Sequence, residues 1–330
     1  MTKFLKFLGI LILILIITYL LGPTKEFEKV NNDPYQRTFQ MAEVDDFVKN
    51  QEAQFTNIKP DNQSQFIWKD SINQTEYSLL YLHGFSASHG EAFPIISNFA
   101  DRYNCNTYLP RLYLHGLNDE DVFVDLTPKE WLESAKQAVA IAKAIGKKLI
   151  IMSTSTGSTL ATYLAANDPD ISALIMTSPN FDLCDTNSQL LVRPWGKQLF
   201  RYMMGGDYRE WNGNDTVKKY WTTKNRIEAH LAIRDLLNQT MTSEIYAKIT
   251  QPVFVGYYYI DDEKCDKIIC ISEIDEFGKT IQTPNNKIVI KPFGTARGHV
   301  ITSSYMNSAW EDVQFEIFKF MDEIIVETKK

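Results

Sequence analysis

Short apolar runs along the chain alternate with stretches in which apolar residues recur at helical spacing. The runs are rich in β-branched side chains, as buried parallel strands are. Strands and helices that alternate in this way predict an α/β protein with a mainly parallel sheet and helices on both faces. The predicted strands are residues 78–82, 148–152, 171–176, 252–259 and 287–290.

Helix signals lie between these runs. Thr127 is followed by Pro128 and Glu130, the pattern of an N-cap with proline at the first helical position and an acidic residue three positions after the cap. We expect this helix to close at Gly146, just before the strand at 148–152. Residues 158–166 follow that strand with apolar residues at helical spacing, which predicts a second helix.

The N-terminal segment is the most apolar part of the chain. Residues 7–22 carry no charge, Lys3 and Lys6 precede them, and Glu26 and Glu28 follow. The length just suffices to span a bilayer, and the flanking charges predict a cytoplasmic N-terminus with the rest of the chain on the outer face. No pair of small residues marks a cleavage site, so we expect a membrane anchor within residues 1–22. A cleaved secretory signal is the alternative.

The remainder predicts one large domain. Residues 23–61 are expected to form a polar stalk and a helix at 44–57, and residues 62–330 suit a single α/β domain. The formal net charge is −7 and no basic stripe is present, so nucleic acid is not an expected partner. Four cysteines are scattered without zinc-ligand spacing. We expect neither a metal nor an organic cofactor.

Ser155 lies where the 148–152 strand gives way to the following helix. A serine on such a turn has a strained backbone and projects its hydroxyl from the sheet edge, and the next amide, that of Thr156, points toward a developing oxyanion. The usual pattern is Gly-x-Ser-x-Gly. Here Ser153 occupies the first glycine position and Gly157 keeps the second. Ser155 is therefore the predicted nucleophile.

A serine becomes a good nucleophile when a histidine accepts its proton and a carboxylate orients that histidine. His299 lies in a loop after the last predicted strand, and the acid-rich segment after the 252–259 strand carries Asp261 and Asp266. We favour Asp266 as the acid. A helix predicted to begin at about Ser272 ends the acid-bearing loop at the usual distance beyond Asp266. Asp261, counted from the preceding strand, is the alternative.

The 78–82 strand leads into His83, Gly84 and Phe85. Gly84 allows a tight turn, after which the amide of Phe85 can join that of Thr156 in an oxyanion hole. His83 is expected to bond to nearby backbone and to transfer no proton.

Together these motifs resemble the α/β-hydrolase superfamily, and within it bacterial carboxylesterase-like hydrolases. The resemblance rests on residues 81–88, 110–112, 115–116, 127–132, 153–157, 177–181, 193–196 and 298–300. It implies an α/β-hydrolase fold with a helical lid at about 181–249, and acyl transfer from a small-molecule ester through Ser155. The expected protein is a membrane-tethered serine hydrolase. A thioesterase or peptidase with the same triad, and a non-catalytic binding protein on the same fold, are alternatives.

Overall fold

The structure is a computed structural model that describes residues 2–328. Met1, Lys329 and Lys330, which belong to the predicted N-terminal segment and domain, lie outside the described residues. The helices are α1 (Thr2–Leu20), α2 (Met41–Glu52), α3 (Ile95–Tyr103), α4 (Pro128–Ile145), α5 (Thr156–Asn167), α6 (Gly196–Met204), α7 (Asp215–Tyr220), α8 (Ile227–Thr240), α9 (Ser243–Tyr246), α10 (Ile271–Thr280) and α11 (Trp310–Thr328). The strands are β1 (Gln65–Ile67), β2 (Thr75–Leu82), β3 (Asn106–Leu109), β4 (Gly146–Thr154), β5 (Ile171–Thr177), β6 (Tyr208–Glu210), β7 (Lys224–Arg226), β8 (Val253–Tyr257) and β9 (Ile288–Pro292).

The central sheet runs in the order β1-β3-β2-β4-β5-β8-β9. β1 pairs with β3 in antiparallel fashion, and the other neighbouring strands are parallel. The carboxyl ends of the parallel strands therefore meet at one edge of the sheet, and β4 brings the predicted nucleophile to the middle of that edge. The predicted parallel sheet is confirmed.

Both faces of the sheet are buried, as the continuous apolar runs predicted. Along β2, Leu80 packs into the core on the face covered by α4, α5 and α8, whereas Leu79 packs on the face covered by α3 and α11. Along β4, Ile151 and Ile150 divide between the two faces in the same way. The alternation follows from the period of two residues in a strand.

Helix α4 begins as predicted. The Thr127 hydroxyl oxygen accepts a 3.2 Å hydrogen bond from the Glu130 amide, and Pro128 holds the first helical position. The helix closes at Gly146 as predicted, and this glycine is extended and opens β4 directly. A Cβ atom there would lie 2.5 Å from the backbone nitrogen of Ser78, so close contact with β2 accounts for the glycine.

The N-terminal region has two parts. Helix α1 is apolar and exposed, with a mean hydropathy of 2.3 over Lys3–Leu20, so its length and composition suit a membrane span. Residues 23–40, predicted as a polar stalk, contact the domain: the Val30 amide donates to Gln239 Oε1 at 2.8 Å. Helix α2 begins and ends earlier than the predicted 44–57, and its Val44 and Val48 are part of the main core.

The insertion predicted as a lid forms two layers. Helix α8 is largely buried and packs against α4 and α5. Helix α6 packs on α8 from the outer side, next to an antiparallel hairpin of β6 and β7 that the sequence analysis did not predict. The Glu228 carboxylate connects the two layers, because it pairs with Lys197 of α6 at 2.8 Å and with Arg226 of the hairpin at 3.0 Å.

Candidate active site

Ser155 occupies a sharp turn between β4 and α5. Its backbone has φ 53° and ψ −122°, a conformation that is strained for any residue with a side chain. The end of β5 holds the turn: the Ser155 amide donates to Thr177 O at 3.0 Å, and Ser155 O accepts from the Asn180 amide at 3.1 Å. The neighbouring strand thus stabilises a conformation that the serine would not adopt alone.

Two small residues let the turn fit beneath its neighbours. A Cβ atom on Gly157 would lie 2.0 Å from Leu82 O, so only glycine permits α5 to start this close to β2. Ser153, in the place of the usual first glycine, is buried and lies with its Oγ 3.0 Å from Ser158 Oγ. A serine therefore fits in place of the first glycine, because its hydroxyl has a hydrogen-bond partner in Ser158.

Ser155, His299 and Asp266 form a continuous hydrogen-bonded chain. His299 Nε2 lies 2.9 Å from Ser155 Oγ, and His299 Nδ1 lies 2.6 Å from Asp266 Oδ2. The Asp266 side chain is buried, and its other oxygen accepts from the Ile268 amide at 2.9 Å. With Nδ1 donating to the carboxylate, the imidazole presents the Nε2 lone pair to the serine hydroxyl, as a general base requires.

Asp261, the alternative acid, lies elsewhere. It is exposed and caps its own turn, accepting from the amides of Glu263 at 3.0 Å and Lys264 at 2.8 Å. The structure thus brings Asp266, and not Asp261, to His299.

The two predicted oxyanion donors line the same cavity as Ser155. Among residues 2–328, neither the Phe85 amide nor the Thr156 amide donates a hydrogen bond to a protein acceptor. A Cβ atom on Gly84 would lie 3.2 Å from Ser155 Cβ, so the loop that carries Phe85 passes directly beside the nucleophile. Both amides are therefore free to donate to a bound ligand.

Burial keeps the other four histidines neutral. His83 is buried with Nδ1 2.9 Å from the carbonyl of the following glycine, and its Nε2 accepts from the Leu112 amide at 3.2 Å, as the expected backbone role requires. Burial lowers the pKa of His83 to about 3. Burial likewise lowers the pKa values of His89 and His230 to about 4.

Glu91 is a site residue that the sequence analysis missed. It is fully buried in a short 3₁₀ helix, where its Oε1 accepts from the Gly84 amide at 2.6 Å and lies 2.9 Å from the Tyr81 hydroxyl. Burial raises the pKa of Glu91 to about 7, against the opposing effect of these hydrogen bonds. The sequence does hold a signal for Glu91: it is a lone acidic residue among small residues, just after the loop of Gly84 and Phe85.

The cavity above Ser155 has a volume of about 370 Å³. Its apolar lining includes Leu183, Trp211 and Trp221. Three of its lining residues also carry polar atoms that are themselves buried. Among the described residues, Asn180 Oδ1, Asn225 Oδ1 and His230 Nε2 are buried without a hydrogen-bond partner. Buried polar groups without partners are unusual in native folds, which marks these atoms as candidates for ligand contact.

A second cavity of about 290 Å³ lies beside the first, within the lid. Four residues line both cavities, and the second is otherwise lined mainly by apolar side chains of α6 and the segment before it. The shared residues are Leu183, Arg209, His230 and Ile268.

Comparison with known proteins agrees with this architecture. No protein-family model matches the chain. A thermostable monoacylglycerol lipase from Bacillus sp. is 25% identical over 213 residues, which cover 64% of this chain and 79% of that protein. A structure described with the metagenome-derived lipolytic enzymes LipS and LipT superposes with a TM-score of 0.65 at 13% identity, covering 81% of this chain and 99% of that chain. Est1E from Butyrivibrio proteoclasticus, solved with bound ferulic acid, gives a TM-score of 0.54 at 19% identity over 82% of this chain and 100% of that chain.

The predicted α/β-hydrolase fold is confirmed. The chain shares this fold with the lipases and esterases of these comparisons.

Proposed function

We propose that the protein is a membrane-tethered serine hydrolase that cleaves a carboxylic ester by way of an acyl-enzyme. The observation that carries this proposal is the hydrogen-bonded chain from Ser155 through His299 to Asp266, which opens into a cavity beside two free amides. The lipase and esterase relatives support the ester bond as the one that is cleaved.

In the proposed first half of the reaction, Ser155 Oγ attacks the ester carbonyl carbon while His299 Nε2 takes the hydroxyl proton. Asp266 stabilises the resulting imidazolium and holds its orientation. The tetrahedral intermediate collapses when His299 returns that proton to the leaving alkoxide, which frees the alcohol. In the second half, His299 activates a water molecule that releases the acid from Ser155.

The oxyanion formed in each half would be bound by the amides of Phe85 and Thr156. Removing one such donor in comparable sites raises the barrier by about 3 kcal/mol. The donors are effective because they are already oriented: Thr156 is held at the start of α5, and the loop of Phe85 is anchored through Gly84 to the buried Glu91.

The two cavities fit the two parts of an ester. The apolar chamber within the lid suits an acyl chain. The unpaired atoms of Asn180, Asn225 and His230 suit an alcohol that carries further hydroxyl groups. The relative that acts as a monoacylglycerol lipase supports the same class. The proposed substrate is therefore a fatty acyl ester of a small polyol.

The tether is helix α1. Its apolar window of 18 residues suits a span, and Lys3 and Lys6 at the start of that window favour a hydrolase domain on the outer face of the membrane. Release after signal cleavage is the alternative location.

The test of the proposed activity is covalent labelling with a fluorophosphonate, followed by turnover of p-nitrophenyl esters of rising chain length. We expect stoichiometric labelling and turnover of medium-chain or long-chain esters. If the folded protein takes up no label and hydrolyses none of the esters, the binding-protein alternative replaces this proposal.

A further inference from the structure

Helix α6 carries an apolar stripe on its outer side. Trp195, Leu199, Tyr202 and Met203 follow one another at helical spacing, and the exposed fractions of the last two side chains are 85% and 63%. Large apolar side chains that lie side by side on a surface usually mark an interaction site. Here the stripe lies on the outermost layer of the lid.

The end of α1 contacts the beginning of this stripe. The Trp195 indole Nε1 donates to Thr18 O at 3.1 Å, and the Trp195 amide donates to Pro23 O at 3.0 Å. A Cβ atom on Gly22 would lie 2.1 Å from the indole nitrogen, so the backbone after α1 packs directly on the ring. The last turn of the apolar helix is therefore joined to the base of α6. Tryptophan is the residue type that concentrates where spans meet the water interface.

The lid cavity opens on the same side. Leu190, Leu199 and Met203 line it and are also exposed, so they form its mouth. Leu183 and Ile268 line this cavity and also line the cavity of the nucleophile. The surface of α6 and the cavity of the nucleophile are thus joined by residues that line both cavities.

We propose that the outer stripe of α6 lies on the bilayer that α1 spans, and that the mouth at Leu190, Leu199 and Met203 takes the acyl ester directly from that bilayer. This inference rests on the proposed function, because it needs a retained span and an ester substrate. Its physical reason is the cost of moving an acyl chain through water, which grows with every methylene. A mouth that opens into lipid removes that step.

The bilayer contact is tested independently of activity. A fluorescent amino acid replaces Tyr202 in the full chain, reconstituted in phosphatidylcholine vesicles whose acyl chains carry a nitroxide quencher. The matched control is Ile72, which is 82% exposed and precedes β2, at the opposite edge of the sheet from Ser155. We expect several-fold stronger quenching at position 202 than at position 72. Equally weak quenching at both positions would overturn the inference. A second copy of the chain that covers the stripe would also give this result.

The route of the substrate is tested with Tyr202→Asp, which changes the stripe without changing the cavity lining, and with Ile72→Asp as its control. We expect Tyr202→Asp to lower kcat/KM at least fivefold for a long-chain monoacyl ester held in vesicles. The same variant should leave kcat/KM for a soluble butyrate ester unchanged. Ile72→Asp should change kcat/KM for neither ester. Equal effects of the two variants on the vesicle ester overturn the proposed entry route. Strong quenching at position 202 in a protein that cleaves neither ester would reject the hydrolase function and keep the bilayer contact.

Discussion

The Gly84 amide donates a 2.6 Å hydrogen bond to the buried carboxyl group of Glu91. This bond joins the loop that carries the Phe85 amide to a 3₁₀ helix beneath it. The Tyr81 hydroxyl, 2.9 Å from the same carboxyl oxygen, lies 2.9 Å from Thr154 Oγ1 at the end of β4. One buried acid thus connects both sides of the proposed oxyanion hole.

Stability should fall with rising pH because of Glu91. Its pKa is about 7 in the folded protein against an ordinary value of 4.5, so between these values the folded state holds a proton that the unfolded chain releases. The stabilisation is complete below about pH 4.5 and is lost as pH rises through about 7. It amounts to a few kcal/mol. Urea denaturation at pH 5 and pH 8 should show this loss in the wild type and a smaller one in Glu91→Gln. Parallel pH dependence in both proteins contradicts the assignment.

Glu91 should also position the oxyanion loop. Glu91→Ala removes the acceptor of the Gly84 amide and should lower kcat about tenfold with little change in KM, because a hydrogen bond of this kind contributes about 1 kcal/mol or more. Glu91→Gln keeps an acceptor oxygen and should recover most of kcat. A kcat that is equally low in both variants would indicate a role other than positioning.

Ser155 and Ser153 provide a matched pair of variants. Ser155→Ala should abolish fluorophosphonate labelling and lower turnover by about four to six orders of magnitude, because nucleophile and base act as a unit. Ser153→Ala loses only a buried hydrogen bond to Ser158 and should keep its labelling. Thermal denaturation checks that both variants fold. If Ser153→Ala is the inactive one, the position of the elbow is misassigned.

The two candidate acids can be compared in the same way. Asp266→Asn should reduce turnover about ten-thousand-fold, because the imidazole loses the partner that holds its productive tautomer. Asp261→Asn should stay close to the wild type, since Asp261 caps an exposed turn. Turnover of one ester at one pH decides between them, and the reverse ranking would restore Asp261.

Asn225 tests the alcohol side of the proposed substrate. Asn225→Ala removes a buried, unpaired carbonyl oxygen at the cavity. We expect about a tenfold loss in kcat/KM for a monoacylglycerol, the energy of a single hydrogen bond, and little change for the methyl ester of the same fatty acid. Equal losses for both esters would argue against contact with a substrate hydroxyl.

The N-terminal helix should remain on the mature protein. No small-residue pair precedes a plausible cut near Gly22, and residues 23–40 are tied to the domain. Intact-mass measurement and membrane fractionation in the native host check this. A mature chain that starts near residue 23 and is found in the soluble fraction would favour the cleaved signal.

The sequence by itself determined the fold class, five of the six parallel strands (all but β3) and the turn at Ser155. These features are local: a run of β-branched residues, a proline after a capping threonine, and small residues around a serine each specify the backbone through their own geometry. The order of serine, acid and histidine along the chain then narrowed the proposed triad to His299 and two aspartates.

Only the tertiary structure decided which groups meet. It brought Asp266 to His299, buried Glu91 under Gly84, packed residues 23–40 on the domain and joined Trp195 to the end of α1. Each of these contacts links residues that belong to different elements. Their formation depends on how strands and helices pack in three dimensions, and no periodicity or spacing within one segment records that packing.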